Sequence, residues 1–406
     1  MDSNEKKILI LTSAAHYLTH FFVLAFPALV MPISRDFSIE PAAVLKIGFP
    51  MYLLYGVLAI PWGYLSDRFD ARRMMAFGMI LAGIGFVASG FAESLEQLAL
   101  GLGVIGVGCS AYHPSGLALL SRGIRVRGRA MGINGLWGNF GIASTPLVAG
   151  TLTYLVGWQS TLLVFGLIGV LVGAVCLAVP FSVGRGDLQR GSSVAGRQAV
   201  TLFLILCGAM IFSGLMYRGY TVVLPTFFES KLADMGALVS SVVSDATVAA
   251  GTNTLLATLI ASGVYLLGMV GQLIGGWVAD RYELRWAYLG FFVCASPFLL
   301  SLCFVEGPAL ILLAGGFVLF SLGMQPVENS LVAMLTPPQW RSVSYGVKFT
   351  LVFGAGSLAV YFVSFTSGAY GLDAVILLLA FFLAMVIAMI AILLLAGRGA
   401  NVRHEH

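Results

Sequence analysis

Apolar segments recur along nearly the whole chain, and each is about twenty residues long, enough to cross a bilayer as a helix. Of the 406 residues, 59% are hydrophobic and only 10% are charged, whereas about a quarter of the residues in a soluble domain are charged. Backbone polar groups must be satisfied within each segment in lipid, so the segments are predicted to be helices. We predict an all-α membrane protein with twelve transmembrane helices, at residues 8–34, 42–65, 74–91, 97–121, 130–155, 159–181, 200–228, 253–279, 286–304, 308–335, 342–367 and 370–396.

The positions of Lys and Arg predict the orientation. Basic residues accumulate in cytoplasmic connections, and 17 of the 22 fall on the side that holds both termini. We therefore predict a protein of the plasma membrane, of the bacterial inner-membrane type, with both termini cytoplasmic. Charges clustered between apolar segments are a topology signal rather than a nucleic-acid surface, so no nucleic-acid partner is expected.

A charged motif occurs twice. The sequence GYLSDRFDAR at 63–72 matches GWVADRYELR at 276–285 with an offset of 213, since 276 − 63 = 213. A second echo pairs Arg127 and Gly132 with Arg341 and Gly346, at an offset of 214. Repeats of this kind predict two related six-helix bundles. We predict an N-terminal bundle at 1–181, a cytoplasmic linker at 182–199 and a C-terminal bundle at 200–406.

This doubled motif resembles the signature loop of the major facilitator superfamily. The resemblance implies the MFS fold, a monomeric secondary transporter and loops that gate the cytoplasmic side. The arginines are expected to pair with carboxylates or lipid phosphates. The gating residues so implied are Gly63, Asp67, Arg68 and Arg72, with Gly276, Asp280, Arg281 and Arg285 in the second copy.

Within the superfamily, the first half resembles the fosmidomycin-resistance exporters over residues 10–155. The matching stretches are HYLTH at 16–20, SAYHPS at 110–115, and GNFG with PLVA at 138–149. That group has an acidic residue at the position of His20. Residues 141–150 also resemble the fifth-helix antiporter motif, in which Pro146 would kink a helix that seals the cavity against proton leak. Generic helix packing explains these small residues equally well.

Six ionisable side chains lie well inside the predicted spans, away from the span ends, where they are costly and usually functional. Glu328 and Lys348 each lie ~10 Å from the cytoplasmic end at 1.5 Å per residue, and we predict a buried ion pair. The pair is either structural or includes a carboxylate that carries protons. His16 and His20 are four residues apart on one helix face, and histidine titrates near neutral pH. We assign proton coupling to His16, Glu328 and Lys348.

Arg218 lies in the seventh predicted span, where an arginine rarely lacks an anionic partner. An ion pair with a carboxylate, a side chain that reaches the external surface, and substrate binding are the alternatives. Arginine, lysine and three histidines against one glutamate favour a small anionic or amphipathic substrate such as a phosphonate or carboxylate. The candidate substrate-binding residues are His20, Tyr112, His113, Tyr217, Arg218, Gln325 and Asn329.

Three functions remain open at this point. Proton-coupled export of a small anionic compound leads, proton-coupled uptake of an organic anion follows, and a membrane sensor with a transporter fold is the third. No catalytic constellation or metal-ligand spacing occurs in the sequence, so we expect no enzyme activity, cofactor or metal. The expected partners are the substrate, protons and the lipid bilayer. The external connection at 229–252 is either a floppy loop or a partial lid.

Overall fold

The computed structural model describes residues 1–125, 127–181, 197–232, 246–336 and 341–397. All regular structure in these residues is helical, as predicted. We number the helical units that correspond to the twelve predicted spans in chain order: α1 Ser3–Phe37, α2 Pro41–Arg68, α3 Ala71–Gly90, α4 Leu95–Gly123, α5 Arg127–Val156, α6 Trp158–Ala178, α7 Arg197–Lys231, α8 Ala246–Ala279, α9 Leu284–Ser301, α10 Ala309–Leu335, α11 Arg341–Tyr370 and α12 Leu372–Ala396.

Four of the units are interrupted near their middle. Prolines 50, 114 and 326 stand at the start of a new segment in α2, α4 and α10, because proline lacks the N–H that continues a helix. The interruption of α11 is a π-turn followed by a 3₁₀-turn, a distortion that often marks functional sites. The segments are Pro41–Ile47, Phe49–Val57 and Ala59–Arg68 in α2; Leu95–Cys109 and Tyr112–Gly123 in α4; Ala309–Gly323 and Gln325–Leu335 in α10; and Arg341–Phe349, Thr350–Gly354, Ala355–Leu358 and Ala359–Tyr370 in α11.

Eleven units are long and apolar enough to cross a bilayer, counted over the described residues, and α5 is the remaining one. The predicted helix ends need two corrections. The first helix begins at Ser3 rather than residue 8, because Asp2 and Glu5 form a reciprocal capping box. The seventh helix runs to Lys231 and the eighth begins at Ala246, so the external connection is shorter than 229–252. Its residues 233–245, and residues 182–196 of the predicted linker, lie outside the described residues.

The helix contacts follow the sequence repeat. In the first six helices α3 packs on α4 and α6, and α1 packs on α5; in the last six α9 packs on α10 and α12, and α7 packs on α11. The two sets meet through α1–α7, α2–α11 and α5–α8. In the repeat, α8 corresponds to α2 and α11 corresponds to α5. The α2–α11 and α5–α8 contacts are therefore equivalent. The bundle boundaries at 181 and 200 remain predictions.

Glycine supplies a further sign of the repeat. Gly157 (φ 82°) joins α5 to α6, and Gly371 (φ 84°) joins α11 to α12. These left-handed conformations strongly favour glycine. The two glycines are 214 residues apart, since 371 − 157 = 214, which is the offset of the second sequence echo.

Polar contacts tie the two sets together on one side of the bundle. Alternating spans place both chain ends on one side, here called the termini side, and we call the other the opposite side. There, Arg35 Nη1 lies 2.9 Å from Glu229 Oε1 and Arg35 Nη2 donates to Thr254 Oγ1 at 2.6 Å, which joins α1 to α7 and α8. Ser364 Oγ of α11 donates to the Ala42 carbonyl of α2 at 2.6 Å. The two sets are therefore tied together on the opposite side by these contacts.

Candidate functional site

Three histidines from two helices meet at the centre of the first set. His20 lies 17 residues from each end of α1, and His16 is one helical turn away. His113 comes from the start of the second segment of α4. Ring centroids are 4.9 Å apart for His16 and His20, and His113 lies 5.4 Å from each of them. We call these three side chains the imidazole cluster.

Tyrosines and one asparagine hold the imidazole cluster in place. The His16 Nδ1 lies 2.8 Å from the backbone oxygen of Asn134, whose side-chain Oδ1 accepts from the Tyr112 hydroxyl at 2.8 Å. The Tyr112 ring stacks on His16 at 4.6 Å. On the other flank, the Tyr55 hydroxyl is 2.9 Å from His113 Nε2. Two predicted substrate-binding residues, Tyr112 and His113, are thus hydrogen-bonded within the first set.

Arg218 of α7 is buried without a matching charge. It is 1% exposed, which excludes a side chain that reaches the external surface. Its Nε and Nη1 have no hydrogen-bond partner, and no carboxylate of the described residues lies within 4.0 Å of it. The guanidinium instead lies over the Tyr52 ring of α2, 4.0 Å from the centroid, and 5.8 Å from the Tyr217 centroid. Of the three predicted alternatives for Arg218, the side chain that reaches the surface is wrong, the described residues hold no carboxylate partner, and substrate binding remains a prediction.

The predicted ion pair is present in the second set. Lys348 Nζ of α11 lies 2.8 Å from Glu328 Oε1 of α10, and their side chains are 6% and 1% exposed. The Tyr288 hydroxyl of α9 donates to Glu328 Oε2, and Ser213 of α7 lies 3.5 Å from the same oxygen. Lys348 also donates to Asn329 Oδ1. Asn329, predicted to bind substrate, is an exposed residue that supports this pair.

Three amide side chains connect the two sets nearer the termini side. Asn139 of α5 and Gln272 of α8 exchange two hydrogen bonds, and Gln272 Nε2 also donates to Gln325 Oε1 of α10 at 2.9 Å. The predicted substrate-binding residue Gln325 therefore already has a partner. This amide network spans the α5–α8 contact, where the sets must separate if that side opens.

Aromatic rings of α11 close the space between the imidazole cluster and Arg218. Phe349 stacks on His113 at 4.6 Å, and Phe353 lies 4.9 Å from the Tyr55 ring and 6.4 Å from Tyr217. The π-turn that carries Phe353 approaches α2 closely, because the backbone of Gly354 lies where a Cβ of residue 56 would be. Gly56 therefore allows α2 and α11 to meet beside the site.

The doubled motif has matching contacts in both sets. Arg72 Nη1 donates to the carbonyl of Val179 at 2.8 Å, and Arg285 Nη1 to that of Gly397 at 3.2 Å. Each arginine thereby joins the start of the third helix of its set to the end of the sixth. The expectation of carboxylate or lipid partners was incomplete for these two arginines, because carbonyl oxygens exposed at a helix end also accept from a cation.

The other predicted gating residues are less connected. Arg68 lies over the Tyr64 ring at 4.6 Å and Arg281 over Trp277 at 4.7 Å. Pro146 adjoins the α5–α8 contact, where the Leu147 N–H donates to Ser262 Oγ at 2.7 Å. The side chain of Asp67 lies outside the described residues. The remaining members, Gly63, Gly276 and Asp280, lie at the termini-side ends of α2 and α8.

Sequence reasoning missed four residues that contact the predicted ones. Tyr52 and Tyr55 of α2 contact Arg218 and His113, and their spacing of three residues, which places them on one helix face, was a usable signal. For Asn134, the signal was a polar residue within an apolar span. Tyr288, which contacts Glu328, had no distinguishing signal in the sequence.

Comparisons with known proteins agree on a family. The sequence profile of the Major Facilitator Superfamily matches residues 9–261. The uncharacterised MFS-type transporter YfnC of Bacillus subtilis is 24% identical over 92% of this chain and 90% of its own length. The 4-hydroxybenzoate transporter PcaK of Pseudomonas aeruginosa is 23% identical over 79% of this chain and 77% of its own length. A crystal structure of a bacterial homologue of the human lysosomal transporter Spinster has a similar fold, with a TM-score of 0.77, 15% identity and 98% coverage of both chains.

Proposed function

Since this chain belongs to the major facilitator superfamily, we propose that it exports a small organic anion across the plasma membrane in exchange for protons. Its relatives and fold are those of multi-pass membrane transporters and not of enzymes. The proposal adds to this family assignment an anionic substrate, a coupling site and a direction. Buried Arg218 with its unpaired donors is the observation that carries it.

An anion at Arg218 resolves an energetic problem. A buried guanidinium without hydrogen-bond partners loses its hydration and regains little of that free energy. Its contact with Tyr52 compensates only part of the loss, because a cation–π contact contributes about 2 kcal/mol when desolvated. A carboxylate or phosphonate would accept two parallel N–H bonds from the same group. The tyrosines and phenylalanines around Arg218 suit a substrate with an apolar portion. The relative PcaK is a transporter of 4-hydroxybenzoate, an aromatic carboxylate.

Proton coupling is assigned to the Glu328–Lys348 pair. Both side chains are buried, so a proton on Glu328 would leave Lys348 as an uncompensated charge. Binding of a second anion nearby would make that protonated state more accessible, because the anion offsets the lysine charge. The contacts with Tyr288 and Ser213 link the carboxylate to α9 and α7, which is a route from protonation to helix movement. The role of His16 in proton coupling remains a prediction.

Alternating access would use the equivalent contacts of the two sets. The Arg35–Glu229–Thr254 contacts close the opposite side, which we propose to be external. Opening there requires these contacts to break while the termini side, proposed to be cytoplasmic, closes through α5–α8 and the doubled motif. Rocking of one helix set against the other around a midplane site is the general motion of such repeats.

Uptake of an organic anion by proton symport is the second candidate, and the relative PcaK is a transporter of such an anion, 4-hydroxybenzoate. The same residues would serve, and only the direction of flux differs. Expression in a fosmidomycin-sensitive host gives resistance under export. Growth on 4-hydroxybenzoate as carbon source is expected under uptake.

The test is flux of 4-hydroxybenzoate and fosmidomycin in proteoliposomes with an imposed pH gradient. We expect the wild type to move at least one of them faster with the gradient than without it. Arg218→Gln should abolish this flux, since the anion loses its cation. The exposed Arg73 gives the matched control, and Arg73→Gln should retain wild-type flux.

The coupling assignment has its own readout. Glu328→Gln should bind the anion and exchange it between the two sides, but without dependence on the pH gradient. Unchanged pH dependence in Glu328→Gln would remove the carboxylate from the coupling role. Flux that survives in Arg218→Gln would instead contradict the anion site, and absence of flux with ligand-induced signalling would favour the sensor.

A further inference from the structure

The imidazole cluster is not explained by anion binding alone. The metal-ligating nitrogens of His16, His20 and His113 lie within 4.8 Å of one another. His16 and His20 are half-buried, so the cluster faces accessible space, whereas His113 is 7% exposed. The sequence made a histidine-rich metal site conceivable, but no metal was expected because no acidic residue stands at a matching spacing. The fold brings the third from another helix.

Hydrogen bonding sets the proton positions on two of the rings. The backbone oxygen of Asn134 can only accept, so the His16 Nδ1 carries the hydrogen. In the neutral ring, His16 Nε2 then has a lone pair, and it faces His20 Nε2 at 3.1 Å. His20 Nε2 is therefore the donor in this bond. A cation at the His16 lone pair would replace that hydrogen, which moves to His20 Nδ1, while the backbone carbonyl of Asn134 orients His16. That arrangement is the usual support of a metal-binding histidine.

The other two rings can supply a nitrogen in the same way. His20 follows His16 by four residues, the spacing at which two histidines of one helix bind a single zinc ion. The Tyr55 hydroxyl contacts His113 Nε2 at 2.9 Å and Phe349 stacks on the ring, so the orientation of His113 is fixed by α2 and α11. Three ring nitrogens 3–4 Å apart surround a tetrahedral cation at about 2.0–2.1 Å from each.

The type of ligand selects the type of cation. Imidazole nitrogens favour Zn²⁺, Co²⁺, Ni²⁺ and Cu²⁺, whereas Mg²⁺ and Ca²⁺ require oxygen ligands. In the described residues, no carboxylate belongs to the cluster. Three protein ligands leave the fourth tetrahedral position open, as in zinc sites that exchange a ligand.

We propose that His16, His20 and His113 bind a divalent transition-metal cation. All three ligands belong to α1 and α4 of the first set, so the site persists when the two sets move relative to each other. Arg218 lies across the Phe353 ring from His113, since that ring is 5.8 Å from His113 and 6.4 Å from Tyr217, the neighbour of Arg218. The guanidinium charge should therefore weaken cation binding. The proposal does not depend on anion transport.

The test is titration of the purified full chain with Zn²⁺ by calorimetry and with Co²⁺ by visible absorption. The other two histidines, His404 and His406, are replaced by Asn in every protein, and purification uses a tag without histidine. We expect one Zn²⁺ per chain and the absorption bands of tetrahedral Co²⁺. Loss of a residue that only hydrogen-bonds to a metal ligand costs roughly 10–100-fold in metal affinity. Because His20→Asn and His113→Asn remove a ligand itself, each should weaken Zn²⁺ binding at least to that extent.

A second variant tests the position of the cation. Removal of a nearby like charge in Arg218→Gln should tighten Zn²⁺ binding roughly tenfold, whereas Arg73→Gln should not change it. Equal Zn²⁺ binding after all three cluster histidines become Asn would overturn the site, as would absence of binding in a folded wild type. An unchanged affinity in Arg218→Gln would place the metal elsewhere. These titrations contain no anion substrate, and the flux assays contain a chelator, so failure of one proposal is distinguishable from failure of the other.

Discussion

The two helix sets contribute different chemistry to the centre of the molecule. The first set supplies neutral groups that bond to one another, namely the imidazole cluster with Tyr112 and Asn134. The second set supplies buried charges, the Glu328–Lys348 pair and the unpaired Arg218. The two copies of the repeat thus differ: the first contributes a hydrogen-bonded scaffold, and the second contributes buried charges.

The clearest contrast is between two residues that stand at the same distance before a proline inside a helix. His20 lies seven residues before Pro27 of α1, and Arg218 lies seven residues before Pro225 of α7. The α1 and α7 helices are in contact, and each has its proline inside the helix. His20 forms a hydrogen bond with His16 of its own set, whereas Arg218 keeps two nitrogens, Nε and Nη1, without partners. Under the proposed function, this asymmetry makes Arg218 the expected partner of the anion.

Breaking the charge pair should give the largest loss of stability. Lys348→Met leaves Glu328 as a buried, unpaired charge, and we expect a loss of about 3–5 kcal/mol in the free energy of unfolding. Titration of detergent-solubilised protein with a denaturing detergent measures it. The double variant Glu328→Gln/Lys348→Met should recover most of the loss. If Lys348→Met alone unfolds like the wild type, the buried charges are not coupled as described.

Loss of a hydrogen bond in the first set should cost less stability than loss of the charge pair. Tyr112→Phe removes the donor to Asn134 Oδ1, and a buried acceptor left unsatisfied costs about 1–3 kcal/mol. The same unfolding titration checks this value against Lys348→Met. Tyr154→Phe is the control, because Tyr154 is 43% exposed and should change stability little. A loss from Tyr112→Phe as large as that of Lys348→Met would erase the distinction between the two sets.

The smallest effect on stability is expected at the opposite side. Arg35 is 38% exposed, and partly exposed ion pairs contribute about 0–1 kcal/mol. Arg35→Gln should therefore unfold almost like the wild type, yet weaken the contact that closes this side. A cysteine introduced for Thr258 of α8, which faces Gly150 of α5, should react faster with a hydrophilic maleimide in the Arg35→Gln background. Equal labelling rates in both backgrounds would argue against a gate at Arg35.

The fold was more predictable than the site. Twelve apolar segments and a doubled charged motif sufficed for the helices and their repeat, because lipid leaves the backbone few alternatives. The Glu328–Lys348 pair was predictable from depth along two helices. The contacts of Tyr52, Tyr55 and Tyr288 were not, because they depend on how helices rotate against one another. Gln325 and Asn329 looked free in the sequence and have partners in the fold.

By itself the sequence determined the membrane class, the helix order and the internal repeat, since hydropathy and spacing are local properties of the chain. Only the tertiary structure decided which polar groups have partners. It paired Glu328 with Lys348, joined His113 to two histidines of α1 and left Arg218 buried with unused donors. The physical reason is that burial makes every polar group need a partner, and the partner comes from helices distant in sequence.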